Sequence, residues 1–162
     1  MLKHFLFAAA FAVLALPAGA QNAGEIAKVR NGQSCPGCNL FQADLAYYDA
    51  ADIDVSGSRL RQSDMQLATF DRWNLSGANL SVSNLFGVRF NASNFSNVNF
   101  ENATLVGGYF GTSSFSGANL SGANLSGADL HLARGLTQGQ LDRACGDRAT
   151  RLPAGLRVPR CG

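Results

Sequence analysis

Ala118-Asn119-Leu120-Ser121-Gly122, Ala123-Asn124-Leu125-Ser126-Gly127, Ala128-Asp129-Leu130: here the chain repeats itself every five residues. Extended in both directions, the same register runs from Cys38 to Leu132 without an insertion or deletion, 19 blocks over 95 residues. Each block has an apolar residue at its centre, from Leu40 and Leu45 through Phe90, Phe95 and Phe100 to Leu130. The residue before the centre is Asn or Asp in 13 of the 19 blocks, and the one two before is usually small. So short a unit cannot bury its own apolar residue and has to stack on copies of itself.

A period of five suits neither regular structure. A helix needs apolar residues three and four apart, and a strand needs alternation. Two inward positions in five imply a short extended piece and then a corner, and the Gly, Ser, Asn and Asp between them suit frequent turns. At a spacing of 20 the centres sort into four columns. Ala50, Phe70, Phe90, Phe110 and Leu130 form one, and Val55, Leu75, Phe95 and Phe115 another. Five of the six Phe centres fall in these two columns, as expected if rings stack from coil to coil. Four blocks per coil make about 4.75 coils and a rod roughly 23 Å tall.

In these blocks the chain resembles the pentapeptide repeat family, whose unit is a small residue, Asn or Asp, Leu or Phe, a small polar residue and a free position. The resemblance implies an all-β solenoid: a right-handed, four-sided parallel β-helix with a short C-terminal α-helical cap. Tyr48, Ile53 and Trp73 are large where the motif wants a small residue. Tyr48 precedes the Ala50 centre, which offers an exchange of volume. Trp73 precedes Leu75 without such relief, so it is expected to widen the coil or tip outward.

Residues 1–20 read as a secretory signal peptide. Lys3 and His4 precede an apolar run from Phe5 to Leu16, followed by Pro17 and the small-residue site Ala18-Gly19-Ala20. Cleavage after Ala20 predicts a periplasmic or secreted protein, and the apolar run is too short to span a membrane. Residues 21–37 then form an N-terminal lead and cap, 38–132 the repeats, and 133–162 a C-terminal helix and disulfide-tied tail.

All four cysteines flank the repeats: Cys35 and Cys38 before them, Cys145 and Cys161 after. An even count in an exported chain favours disulfides. Three pairings are possible, and neighbouring pairs are favoured because the ends of a rod lie far apart. A redox role for Cys35-Pro36-Gly37-Cys38 would need a thioredoxin-like context that is missing, and zinc would need a second close pair. Past Leu132, Thr137 and Gln140 form a capping box and Leu136 and Leu141 a hydrophobic staple, with Gly146 suited to a helix stop. The segment from Leu136 to Asp147 also resembles a C-terminal extension of exported family members, which would cover the open last coil.

The net charge of +2 hides a division. Residues 38–132 carry four Arg against eight acidic residues, and residues 133–162 carry six Arg against Asp142 and Asp147. A nucleic-acid role would want a basic stripe with aromatics, and the repeats have the opposite sign. Past the signal segment His131 is the one histidine. No catalytic set, metal-ligand spacing or phosphate-binding Gly loop is evident, so no catalytic residue, cofactor or metal is expected. The leading expectation is a non-catalytic exported scaffold that binds a protein partner or itself. Its rivals are a DNA-mimicking topoisomerase inhibitor, which the resemblance permits, and a thiol oxidoreductase using Cys35 and Cys38.

The four-column reading also places an interaction stripe. Tyr47, Leu67, Phe86 and Val106 follow the centres of the column Leu45, Met65, Leu85, Leu105, Leu125, one large apolar residue on each of four coils. Ser56, Ser76, Ser96 and Ser116 make another side small and polar. The alternative is that the four apolar side chains lie flat on neighbouring coils or under residues 21–34.

Overall fold

The computed structural model describes residues 20–162. The expected signal peptide therefore lies outside the described residues, save for Ala20. The described elements are helix α1 (Ala23–Arg30), strands β1 (Asp49–Ala51) and β2 (Thr69–Asp71), and helix α2 (Gln138–Leu141).

The expected fold class, an all-β solenoid shaped as a right-handed four-sided β-helix, is corrected by this inventory. Continuous strand is confined among the described residues to β1 and β2, three residues each. They form one two-stranded parallel sheet, with Asp49 opposite Thr69, Ala50 opposite Phe70 and Ala51 opposite Asp71. Elsewhere the blocks meet through isolated parallel bridges such as Arg59↔Asn79 and Asn74↔Asn94. The reason is the length of the unit. A five-residue block turns again after about one bridged residue, so a ladder has no room to continue.

What forms is a turn-dominated stack with 20 residues per coil. Around Leu60 the pattern is complete: Leu60 N–H donates to Asn79 O (2.8 Å), Gln62 N–H to Ser81 O (3.0 Å) and Asn79 N–H to Ser58 O (2.9 Å). Ser63 N–H closes the local turn on Leu60 O at 3.0 Å. The position two after the centre often has left-handed backbone, filled by Gly57, Gly77 or Gly117 in one column and by Tyr47 and Leu67 in another.

The centres point inward and all are buried except the half-buried Ala50. Phe70 and Phe90 lie 5.1 Å apart between ring centroids, and Phe95 and Phe115 4.9 Å. The small inward positions are often Ser, whose hydroxyls bond backbone across coils. Ser93 Oγ accepts from Trp73 N–H at 3.0 Å and donates to Phe70 O at 3.1 Å. That satisfaction is what allows a hydroxyl in the core.

Trp73 departs from expectation. It neither tips outward nor lacks relief: it is 1% exposed, 4.3 Å from the Phe70 ring, and its indole N–H donates to Ala50 O at 3.0 Å. The small Ala50 centre thus adjoins two oversized neighbours. Tyr48, the other, sends its hydroxyl to Val29 O at 3.0 Å.

The ends are closed differently. Helix α1 starts at Asn22, whose side chain accepts from Glu25 N–H, and buries Val29 on the first coil. Asn39 N–H donates to Glu25 Oε2, and Gln21 reaches Gln42 O. A disulfide links Cys35 with Cys38, and Cys35 N–H bonds Asp54 O at 2.8 Å. At the other end the Thr137–Gln140 capping box starts α2, and Gln140 Nε2 donates to Phe115 O and Ala118 O, both at 2.9 Å.

Helix α2 stops at Leu141, short of the expected stop at Gly146. Cys145 instead extends the stack, accepting from Leu125 N–H and donating to Ala123 O. Asp129↔Arg151 and Gly146↔Arg160 bridges follow, and a second disulfide joins Cys145 to Cys161.

Candidate interaction surface

Tyr47, Leu67, Phe86 and Val106 fall on one corner of the stack. Tyr47 N–H bonds Gln66 O (2.9 Å), Leu67 N–H bonds Phe86 O (2.8 Å) and Gly87 N–H bonds Val106 O (2.8 Å), so the four side chains occupy successive coils. Tyr47 is 68% exposed, Leu67 48% and Phe86 46%, and Val106 is half-buried. Leu67 lies over Gly87: a Cβ added to that glycine would meet Leu67 Cδ2 at 2.6 Å. The large residues are therefore partly laid along the surface yet remain open to solvent.

Backbone geometry makes two of them costly. Tyr47 has φ 57° and Leu67 φ 54°, left-handed values that bulky residues seldom adopt. Gly87, Gly107 and Gly127 fill the same position further along this corner, while other corners place Gln42, Gln62, Arg72 and Val82 on the same backbone.

The corner continues past the last repeat. Gly107 N–H bonds Ser126 O, and Gly127 N–H bonds Asp147 Oδ1 at 2.9 Å. Hydrogen bonds from Gly127, then from Ala149 and Thr150, outweigh burial and hold the Asp147 carboxyl below the usual carboxylate range. Ser126, Gly146, Asp147, Arg148, Arg160 and Cys161 line an open cleft of about 500 Å³ there.

The opposite Ser face is bonded into itself. Ser56, Ser76 and Ser96 each donate backbone N–H to Asp54, Asn74 or Asn94 Oδ1. These Asx turns cap each block and leave few free donors. Val82 and Leu132 are also exposed, at 46% and 48%, on other corners, and the sequence reading did not single them out.

The groups with chemical potential are tied up. Asp129 Oδ1 lies 2.6 Å from His131 Nδ1 and Oδ2 accepts from Arg151 Nη1 at 2.7 Å. Burial pushes the Asp129 carboxyl up, but His131 hydrogen bonds and the His131 and Arg151 charges leave it below the usual range. Arg72 grips Asp52 in a bidentate pair, and Arg89 pairs with Asp71. Cys35 and Cys38 are both buried and disulfide-linked. Among the described residues no group of three His, Cys, Asp or Glu is placed to hold a metal ion, and no helix is long and apolar enough to cross a membrane.

Comparison with known proteins agrees with the repeat. The family model of pentapeptide repeats matches in eight copies, over residues 63–102 and 93–131. The structure resembles HetL, a pentapeptide repeat protein involved in heterocyst differentiation regulation from the cyanobacterium Nostoc sp. strain PCC 7120. Identity is 22% over 79% of this chain and 61% of that one, with a TM-score of 0.57, so the likeness concerns fold. The chain covers about three fifths of HetL. A pentapeptide repeat protein of the Arabidopsis thaliana thylakoid lumen is 30% identical over 60% of this chain and 68% of that one, with a TM-score of 0.44. Among curated proteins no match is found. The family match supports a non-catalytic, protein-binding role. The chain belongs to the pentapeptide repeat family.

Proposed function

We propose that this protein is an exported, non-catalytic interaction module whose binding surface is the corner carrying Tyr47, Leu67, Phe86 and Val106. The observation that carries the reading is the exposure of three large apolar side chains on successive coils, two of them on left-handed backbone. Contiguous exposed apolar surface marks interfaces more often than it persists by accident. Export is supported by the cysteines, since all four are spent in two disulfides and such bonds persist in oxidising compartments.

The rival functions gain less support. A thiol oxidoreductase needs an accessible sulfur, and Cys35 and Cys38 are buried. A DNA mimic needs a free acidic face, whereas Asp52, Asp71 and Asp129 of the repeats face arginines. The test changes Tyr47, Leu67 and Phe86 together to Ser and compares partner capture and self-association with wild type. Loss of binding with an unchanged far-UV spectrum is expected. Unaltered capture and an unaltered sedimentation profile would exclude this corner.

A further inference from the structure

We propose that the C-terminal cap is a docking surface of its own, and that it fits the headgroup layer of an anionic phospholipid membrane. The proposal does not rest on the apolar stripe. It comes from where the cap sets its arginines.

Residues 133–162 hold six Arg and no Lys, against Asp142 and Asp147. Stacking distributes the arginines around the end of the rod. Arg134 bridges Ser114, and Arg143 O accepts from Gly122 N–H at 2.7 Å. Arg148 follows the Asp147 that takes Gly127 N–H, and Arg151 bridges Asp129. These contacts fall on the blocks centred at Phe115, Leu120, Leu125 and Leu130, one arginine for each block of the last coil. Arg160 is set beyond them, bridged to Gly146, and the Arg157 backbone meets Gln138 of α2. All six are exposed. Arg151 is spent on Asp129, while the other five have no ion pair or side-chain hydrogen bond among the described residues. Asp142 accepts from Gln138 Nε2, and Asp147 from Gly127, Ala149 and Thr150. With both carboxylates counted, six against two leaves the cap at +4. At the other end, residues 20–57 hold five carboxylates against Lys28 and Arg30. A rod so charged turns its cap toward an anionic surface.

Arginines spread round a perimeter meet a surface. A nucleic-acid strand is tracked instead by a basic groove with aromatic platforms, and residues 133–162 contain no Phe, Tyr or Trp. The cap arginines are interspersed with aliphatic side chains left partly open. Leu132 at its edge is 48% exposed, and Leu152, Leu156 and Val158 are half-buried. Guanidinium groups grip phosphate oxygens in a fork, and aliphatic side chains enter the boundary beneath the headgroups. Stable membrane attachment takes two such signals together. The Cys145–Cys161 disulfide and the bridges to the last coil hold the cap in place beforehand, so little ordering is left to binding.

Co-sedimentation of the disulfide-intact protein with vesicles of phosphatidylglycerol and phosphatidylcholine in equal parts reads the attachment. Wild type should bind these vesicles and leave pure phosphatidylcholine vesicles alone, with affinity falling as salt rises from about 0.05 to 0.5 M. A basic residue near an anionic leaflet strengthens binding about fivefold, so Arg143→Gln with Arg148→Gln should weaken it about 25-fold. Arg59→Gln with Arg61→Gln removes as much charge from the repeats and should change it little. Far-UV dichroism checks the fold of each variant. Changing Tyr47, Leu67 and Phe86 to Ser should leave vesicle binding at the wild-type level, so this reading and that of the stripe fail separately. The proposal is overturned by no binding to the mixed vesicles, by equal binding to both kinds, or by equal losses in the two arginine variants. Loss of vesicle binding in the Ser variant overturns it by moving the contact to the stripe. Tighter binding to duplex DNA than to the mixed vesicles overturns the lipid as occupant.

Discussion

Phe90 is the residue on which the packing of the middle coils can be tested most sharply. Its side chain is fully buried and touches four aromatic neighbours: Phe95 at 4.9 Å between centroids, Phe70 at 5.1 Å, Phe110 at 6.3 Å and Trp73 at 6.4 Å. Phe90→Ala removes the ring from a column that cannot collapse, because its neighbours are pinned by inter-coil hydrogen bonds such as Phe70 N–H to Arg89 O at 2.7 Å. The expected cost is about 4 kcal/mol, the usual range for a buried Phe being ~3–5 kcal/mol. Replacing the exposed Val82 by Ala should cost under about 0.5 kcal/mol. Trp73 is the sole tryptophan, so its fluorescence reports the cavity locally while far-UV dichroism reports the whole stack. In a repeat stack, coupling between neighbours holds the halves together, so the two probes should also separate in urea for Phe90→Ala and coincide for wild type. Equal costs at Phe90 and Val82 would refute the inward column.

The other expectations concern the acid limb and the tail. Asp54 and Asp129 have pKa values held below the usual carboxylate range, Asp54 by the Ser56 backbone hydrogen bond first of all. A depressed folded pKa contributes stability that is complete above the unfolded value of about 3.9 and is lost as pH falls through the folded value. Asp129→Asn should therefore flatten the loss of stability below about pH 4, and a urea midpoint that still falls as steeply would refute it. Cys145→Ser with Cys161→Ser should cost about 3 kcal/mol, since the bond closes a loop between residues 16 apart. Peptide mapping without reduction should find only Cys35–Cys38 and Cys145–Cys161 links, and any cross-end link would contradict the structure.

The inward residues were legible because each answers to one demand repeated along the chain. An apolar centre every five residues is a local pattern, and its burial requires only that copies stack. Sheet content was not legible in the same way: the family resemblance implied ladders, while the block length allows single bridges. The inward place of Trp73 is hidden in the sequence because its relief comes from Ala50, 23 residues earlier and on the previous coil. The helix end is hidden for a similar reason, since Cys145 bonds Ala123 and Leu125, partners set by stacking. Helix α1 was missed because its face is barely apolar, with Val29 its one fully buried residue. The spacing of Asn22 and Glu25, an N-cap and the third residue of a helix, was the available signal.

The stack sets corner residues 20 apart in sequence directly against one another. Leu67 lies over Gly87, Asn91 over Gly111, Asn97 over Gly117 and Asn102 over Gly122, each pair 20 residues apart. In every case an added Cβ on the glycine would collide with the side chain one coil away. At these four places a bare backbone makes room for the side chain one coil earlier, while Tyr47 and Leu67, like Gln42 and Gln62, carry side chains at the same corner position on successive coils. Phe86 and Val106 stand one position earlier, next to Gly87 and Gly107. The apolar line thus shifts by one position after Leu67, whose side chain lies over the Gly87 that the shift leaves bare, and Phe86 and Val106 continue it on the next two coils.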